Sequence, residues 1–150
     1  MISEGQTIKE FTLPDDRGEK VSLSDFAGKK KVVYFYPKDD TPGCTKEACS
    51  FRDAYDDILA KGAVVLGVSK DSPDSHKKFK EKFNLPFHLL ADEGQEVINQ
   101  FGAWGEKKMY GKTHEGIIRS TFILDESNKV IKAFPQVNPE DHASEILTCL

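Results

Sequence analysis

An α/β fold, with a mixed central sheet flanked by helices and a small N-terminal hairpin ahead of it, is the class this sequence predicts. Three observations carry that reading. Residues 32–36 (VVYFY) and 63–68 (AVVLGV) are short apolar runs rich in β-branched and aromatic residues. They lack alternation, as central strands covered on both faces do. Between them Ala48, Phe51, Tyr55, Ile58 and Leu59 recur at helical spacing, and Lys61-Gly62 supplies a stop. Finally, residues 120–124 and 130–134 flank a polar stretch at 125–129, the pattern of an antiparallel hairpin. A parallel βαβ unit with its right-handed crossover, followed by a hairpin, gives a mixed sheet.

The remaining elements follow in chain order. Residues 11–13 and 20–22, around Asp15-Asp16-Arg17-Gly18, read as the small N-terminal hairpin. Ser72-Pro73 reads as an N-cap followed by proline in the first helical position, with Phe79 and Phe83 on the buried face. Residues 87–90 read as a strand. Asp92 and Gln95 have capping-box spacing ahead of a short helix that ends near Phe101-Gly102. Asn138-Pro139 is expected to start a last helix with Ala143, Ile146, Leu147 and Leu150 as its apolar positions. No repeat or linker divides the 150 residues, so one domain over 1–150 is expected.

Composition excludes several function classes. The net charge is −4, which gives no electrostatic reason for nucleic acid or acidic lipid as a partner. The one basic run, Lys29-Lys30-Lys31, precedes an apolar strand and reads as a solubilising entry. No basic and then apolar leader is visible and no run reaches membrane-spanning length, so a soluble, cytoplasmic protein is expected. Three cysteines are too few, and an odd number, for a secreted disulfide scaffold. His76, His88, His114 and His142 show no metal-ligand spacing and receive no role. Trp104 and Met109 read as packing.

The informative segment is Pro37-Lys38-Asp39-Asp40-Thr41-Pro42-Gly43-Cys44, between the first apolar strand and its helix. Reacting groups in α/β folds gather at the carboxyl ends of strands. Cys44 stands there, at a helix start whose unpaired N–H groups favour a thiolate, the nucleophilic form. A buried core filler is the competing reading, since Cys44 lies four residues before Ala48; the Thr-Pro-Gly turn just ahead weighs against it.

Pro37-x-x-x-Thr41-x-x-Cys44 resembles the active-site signature of peroxiredoxins. The likeness continues through Thr45-Lys46-Glu47-Ala48-Cys49, whose Cys-x-x-x-x-Cys spacing is similar to the Q-type, or bacterioferritin-comigratory, subfamily. Residues 107–111 (KKMYG) and 116–122 (GIIRSTF) resemble that subfamily as well. The resemblance implies a thioredoxin-like fold and reduction of hydrogen peroxide or organic hydroperoxides. It implies Cys44 as the peroxidatic cysteine, oxidised to sulfenic acid, and Cys49 as the resolving cysteine, joined to it in an intramolecular disulfide. Thioredoxin or a similar dithiol would reduce that bond, and no metal or organic cofactor is implied. Thr41 and Arg119 would bind peroxide and steady the thiolate, with Pro37 shielding the pocket and Gly43 allowing close backbone approach. Without the resemblance Arg119 reads as a strand-entry arginine at the surface. Glu47 has two readings, a first-turn acid favoured by the helix dipole or a salt-bridge partner of Arg119.

Helical geometry constrains the cysteine pair. An offset of five residues is about 7.5 Å of rise and about 500° of rotation, which turns Cys49 away from Cys44 toward Arg52, Asp53 and Asp56. A disulfide would require the first helical turns to open. Cys149, near the C-terminal end, is the competing resolving residue. Other chemistries fit less well. A dithiol reductase would carry Cys-x-x-Cys, and an iron–sulfur spacing of Cys-x₄-Cys-x₂-Cys fails at Arg52. A non-catalytic binding module on the same fold remains open. With a resolving cysteine in the same chain, a monomer is the expected state.

Overall fold

A computed structural model describes the backbone of residues 1–150 and every side chain except that of Met109, so the packing expected of Met109 lies outside the described residues. The strands are β1 (Thr12–Pro14), β2 (Lys20–Ser22), β3 (Lys30–Phe35), β4 (Ala63–Ser69), β5 (His88–Ala91), β6 (Trp104–Met109), β7 (Lys112–Ile117), β8 (Ser120–Leu124) and β9 (Val130–Phe134). The helices are α1 (Pro42–Asp53), α2 (Tyr55–Ala60), α3 (Pro73–Phe83), α4 (Glu96–Phe101) and α5 (His142–Thr148), with a 3₁₀ turn at Leu23–Phe26.

The central sheet has strand order β5-β4-β3-β8-β9. β3, β4 and β5 run parallel, whereas β8 is antiparallel to β3 and β9 to β8. The expected mixed sheet is therefore present, and β1 and β2 form the expected N-terminal hairpin. β3 shows why the strand signal lacked alternation. Val33 and Phe35 join one core with Leu13, Leu66, Phe101 and Phe122. Val32, Tyr34 and Tyr36 join the other with Ala48, Phe51, Phe79 and Ile146. From Val32 onward both faces are buried among apolar side chains, so the run shows no alternation.

Several local expectations need correction. The hairpin β6–β7 was not anticipated, because its residues are mostly polar and exposed and carry no period-two apolar signal. Lys31 is fully buried rather than solubilising, and its Nζ donates to the carbonyls of Asp125 and Glu126 at 3.5 and 3.4 Å. Burial lowers its pKa, against the opposing charges of Asp125, Glu126 and Glu10. The single helix expected between β3 and β4 is broken at Ala54, which leaves Ile58 buried and Leu59 44% exposed.

Asp92 caps α4 from further back than a capping box does. Its carboxylate accepts from the Ile98 N–H at 2.7 Å, while Gln95 takes φ 64° as N-cap. α5 starts at His142 rather than at Asn138, because the Asn138 side chain accepts from the Glu140 N–H at 3.0 Å and closes a turn there instead. Ser72 does cap α3, accepting from the Ser75 N–H at 3.2 Å.

Candidate active site

The strand register brings the site together. Phe35 pairs with Ser120, so Arg119, one residue earlier in the chain, lies beyond the carboxyl end of β3. The loop after β3 leads into α1 at the same end. Arg119 is fixed by its own backbone too, since its carbonyl accepts from the Val137 N–H at 3.0 Å. On α1, Cys44, Glu47, Ala48 and Phe51 fall at helical spacing and are the buried positions. Glu47 thus sits on the buried stripe, one turn after Cys44, and not on the exposed first turn.

Arg119 bridges these two residues. Its Nη1 donates to Glu47 Oε1 at 2.7 Å and its Nη2 donates to Cys44 Sγ at 3.2 Å. The Arg119 side chain is only 17% exposed and that of Glu47 not at all. Of the two readings of Glu47, the salt bridge is the one observed. The guanidinium thus places a permanent positive charge against the sulfur and against a buried carboxyl group at once. Gly43 makes room for it: a Cβ there would stand 3.2 Å from Arg119 Nη2, and Pro139 closes the other side at 3.7 Å.

Thr41 is the N-cap of α1, but its hydroxyl donates elsewhere, to the Lys38 carbonyl at 2.8 Å. Its proton is committed and its lone pairs are what it can present to a ligand. Pro37 is half-buried directly after Tyr36. Lys107, half-buried on β6, has its pKa lowered by burial and by the Arg119 charge, with Cys44 opposing. Trp104 packs against the core, with Lys70 Nζ 5.1 Å from its ring centre.

The two other cysteines stand apart from this cluster. All three are free. Cys49 is partly exposed and lines an open groove of about 650 Å³ with Lys46, Asp53, Asp57, Glu140 and Leu147. Cys149, also partly exposed, packs against the core that contains Ile146, at the end of α5. Because α1 is continuous from Pro42 to Asp53, Cys44 and Cys49 are held one behind the other on a helix.

Buried polar residues that the sequence reading passed over lie behind the cysteine loop. His76 and Asp39 are both buried and joined at 2.7 Å. His76 shares the α3 stripe with Phe79 and Phe83, a spacing visible in the sequence. His142 is also buried, bonded to Thr121 Oγ at 2.8 Å, and burial lowers its pKa against the pull of Glu145.

Burial pushes the Glu47 carboxyl up from 4.5 to about 7, with the charge and hydrogen bond of Arg119 opposing. The folded chain therefore holds a proton there that the unfolded chain releases at lower pH. The stability linked to this group is full below pH 4.5 and is lost as pH rises through about 7. A rise of that size corresponds to about 3 kcal/mol. Denaturant midpoints at pH 5 and pH 8 are expected to differ less in Glu47→Gln than in the parent chain. An unchanged pH dependence in Glu47→Gln would show that Glu47 does not titrate in this window.

Comparison with known proteins gives the family. Residues 5–133 match the AhpC/TSA family. The chain is 48% identical to peroxiredoxin Bcp of Bacillus subtilis over 149 residues, covering 99% of this chain and 95% of the relative. It is 44% identical to peroxiredoxin Bcp of Escherichia coli over 149 residues, covering 99% and 96%. A Xylella fastidiosa PrxQ structure superposes with a TM-score of 0.93 at 33% identity, over 99% of this chain and 95% of that one. A Xanthomonas campestris bacterioferritin comigratory protein, described for its alkyl peroxide reduction activity, superposes at 0.87 with 38% identity, over 93% and 88%. With its thioredoxin-like sheet, a cysteine at the start of α1 and relatives matched over nearly its whole length, the chain belongs to the AhpC/TSA family, among the Bcp peroxiredoxins.

Proposed function

We propose that the thiol peroxidase activity of this family runs in this chain through Cys44, with Arg119, Thr41, Pro37 and Gly43 forming the peroxide site. The observation that carries the proposal is the Arg119 bridge between Cys44 Sγ and Glu47. In the first step the Cys44 thiolate attacks the hydroxyl oxygen of ROOH. An S–O bond forms, the O–O bond breaks, and RO⁻ leaves to take up a proton as ROH. Cys44 becomes a sulfenic acid, oxidised by two electrons. The Thr41 lone pairs accept from the attacked O–H, because the Thr41 proton is given to Lys38. The guanidinium, which has N–H groups beyond the two already bonded, offsets the charge that develops on the leaving oxygen. The activity described for the Xanthomonas campestris protein supports alkyl hydroperoxides as well as hydrogen peroxide as substrates.

In the second step Cys49 sulfur attacks the sulfenic sulfur, water leaves, and a Cys44–Cys49 disulfide forms. Five positions along a helix is a rise of about 7.5 Å, beyond the roughly 7 Å reach of a disulfide. The first turns of α1 must therefore open. Opening gives up the Arg119 contacts to Cys44 and Glu47, while the outer face is lightly tied: Lys46 pairs with Glu140 at 3.0 Å, but both are largely exposed, and such pairs contribute little in water. Cys49 is preferred to Cys149 because closing a short loop costs less entropy than long-range capture. Amide exchange around Ala48 is expected to quicken on oxidation; protection unchanged across that turn would contradict local opening.

Thioredoxin or a similar dithiol then reduces the disulfide, at the cost of its own oxidation. With both cysteines in one chain no partner subunit is needed, so the chain acts as a monomer. A reducing cytoplasm suits the three free cysteines. Among the described residues no helix is long and apolar enough to cross a membrane. The test is peroxide consumption with a thioredoxin system. Many equivalents consumed per chain are expected; a single equivalent would show that the disulfide is not recycled by that donor.

A further inference from the structure

We propose that Asp39 and His76 are positioning residues for the cysteine loop. They act as a buried, proton-sharing pair that sets the Thr41 hydroxyl, and through it the first turn of α1, for reaction with peroxide. The inference rests on the peroxidase reading above.

The pair is built as a single unit. His76 is fully buried and the Asp39 side chain is 4% exposed. His76 Nδ1 meets Asp39 Oδ2 at 2.7 Å, and His76 Nε2 meets the Leu90 carbonyl at 3.0 Å. A carbonyl oxygen only accepts, so Nε2 carries a proton. Asp39 also receives the Tyr36 hydroxyl on Oδ1 at 2.6 Å and the Ser75 hydroxyl on Oδ2 at 2.8 Å. Tyr36 is a phenol and not a phenolate, since burial and the Asp39 charge hold its pKa well above the ordinary tyrosine value. Two hydroxyls and the His76 ring thus converge on one carboxyl group and hold it in place.

The Asp39, Asp71 and His76 ligand atoms lie within 4.8 Å of one another, a spacing that would also suit a cation. Their hydrogen bonds account for them otherwise. Asp71 Oδ2 receives the Asp39 N–H at 2.9 Å and the Ser69 hydroxyl at 2.7 Å. Asp39 is thus fastened through its main chain to Asp71, just after β4, and through its side chain to Tyr36 and α3, with His76 carrying the link on to β5.

A short path links this anchor to the reacting sulfur. Asp39 follows Lys38, whose carbonyl receives the Thr41 hydroxyl. The Thr41 carbonyl in turn receives the Thr45 N–H at 2.8 Å, closing the turn that holds Cys44. Asp40, between them, has φ 56°, so this stretch of backbone is held in a conformation that aspartate adopts only sparingly. If Asp39 is released, the Lys38 carbonyl is free to rotate, and Thr41 loses the partner that fixes its lone pairs. Misplacement of a reacting group by about 1 Å can cost up to about a hundredfold in rate.

The test combines rates with a spectroscopic readout. Stopped-flow peroxide rates are compared with iodoacetamide alkylation of Cys44 in the parent chain, His76→Leu, Asp39→Ala and Asp39→Asn. His76→Leu and Asp39→Ala are each expected to lose about tenfold or more in peroxide rate, with a smaller change in alkylation. The double variant should be no slower than either single one, because the two act as a unit. Asp39→Asn should recover most of the rate, since its amide can donate to a neutral His76 while its oxygen still accepts from Tyr36. Nitrogen NMR should find Nε2 of His76 protonated in the parent chain, as its bond to the Leu90 carbonyl requires, and the Nδ1 signal moved in Asp39→Ala, where its partner is lost.

Peroxide rates equal to the parent in folded His76→Leu, or a His76 Nδ1 signal unmoved in Asp39→Ala, would overturn the proposal. If His76→Leu does not fold, Asp39→Asn and the nitrogen spectrum still decide it. A parent chain that does not react with peroxide would instead remove the peroxidase reading, while the spectrum reports on the pair independently.

Discussion

Cys44→Ser is expected to abolish peroxide turnover while leaving the fold intact. The sulfur is 1% exposed, within the core formed with Ala48 and Phe51, and a hydroxyl of similar shape fits there. The chemistry does not survive the exchange. A serine hydroxyl is barely ionised at neutral pH, and Arg119 would hold a neutral oxygen in place of a nucleophilic thiolate. Far-ultraviolet circular dichroism should superimpose on the parent, and consumption of hydrogen peroxide should fall to the level of buffer with dithiol alone. Retention of more than a trace of turnover in Cys44→Ser would mean that another group attacks the peroxide.

Arg119→Ala is expected to lower the peroxide rate constant by about one to three orders of magnitude, the scale of losing a charged donor in a transition state. The effect has two sources. Nη2 no longer reaches Cys44 Sγ, and Glu47, fully buried, loses the Arg119 donor to its Oε1. Glu47 then faces burial with no opposing cation, so it takes up a proton more readily and the variant also loses stability. Combining Arg119→Ala with Glu47→Gln should restore much of the stability and none of the rate, which separates the two roles. Arg119→Lys should be poor as well, because one ammonium cannot replace a planar fork that contacts two groups at once. A stopped-flow rate for Arg119→Ala equal to the parent would remove Arg119 from the site.

What the sequence made legible follows from where each signal comes from. The strand β3 was readable because burial on both faces forces an unbroken apolar run. Cys44 was readable because a Thr-Pro-Gly turn between a strand and a helix is a local feature. Arg119 and Cys49 were legible only through the likeness to a family, since nothing local separates them from a surface arginine and a helical surface cysteine. The site depends on a strand register, Phe35 against Ser120, that joins residues far apart in the chain.

Glu47 stood in the sequence at three residues from Cys44 and four from Phe51, yet charge argued for the surface; its partner Arg119 lies 72 residues away. His76 presents the same difficulty. It shares a face with Phe79 and Phe83, but its meaning comes from Asp39, 37 residues earlier. Lys31 was misread because its acceptors are backbone carbonyls of the β8–β9 turn, which have no sequence signature. The β6–β7 hairpin escaped because an exposed two-stranded ribbon of lysine, glutamate and glycine has no apolar period. Its Tyr110-Gly111 turn, with φ of 53° and 76°, leaves only a glycine as its mark.

Peptide mapping after one equivalent of hydrogen peroxide tests the central claim most directly. Trypsin cleaves after Lys38, Lys46 and Arg52, which puts Cys44 in the peptide 39–46 and Cys49 in the peptide 47–52, with Cys149 in a third, C-terminal peptide. One dominant cross-link joining 39–46 to 47–52 is expected, absent from Cys44→Ser. A dominant link between the Cys44 and Cys149 peptides, or an unmodified Cys44 after the peroxide is consumed, would contradict it.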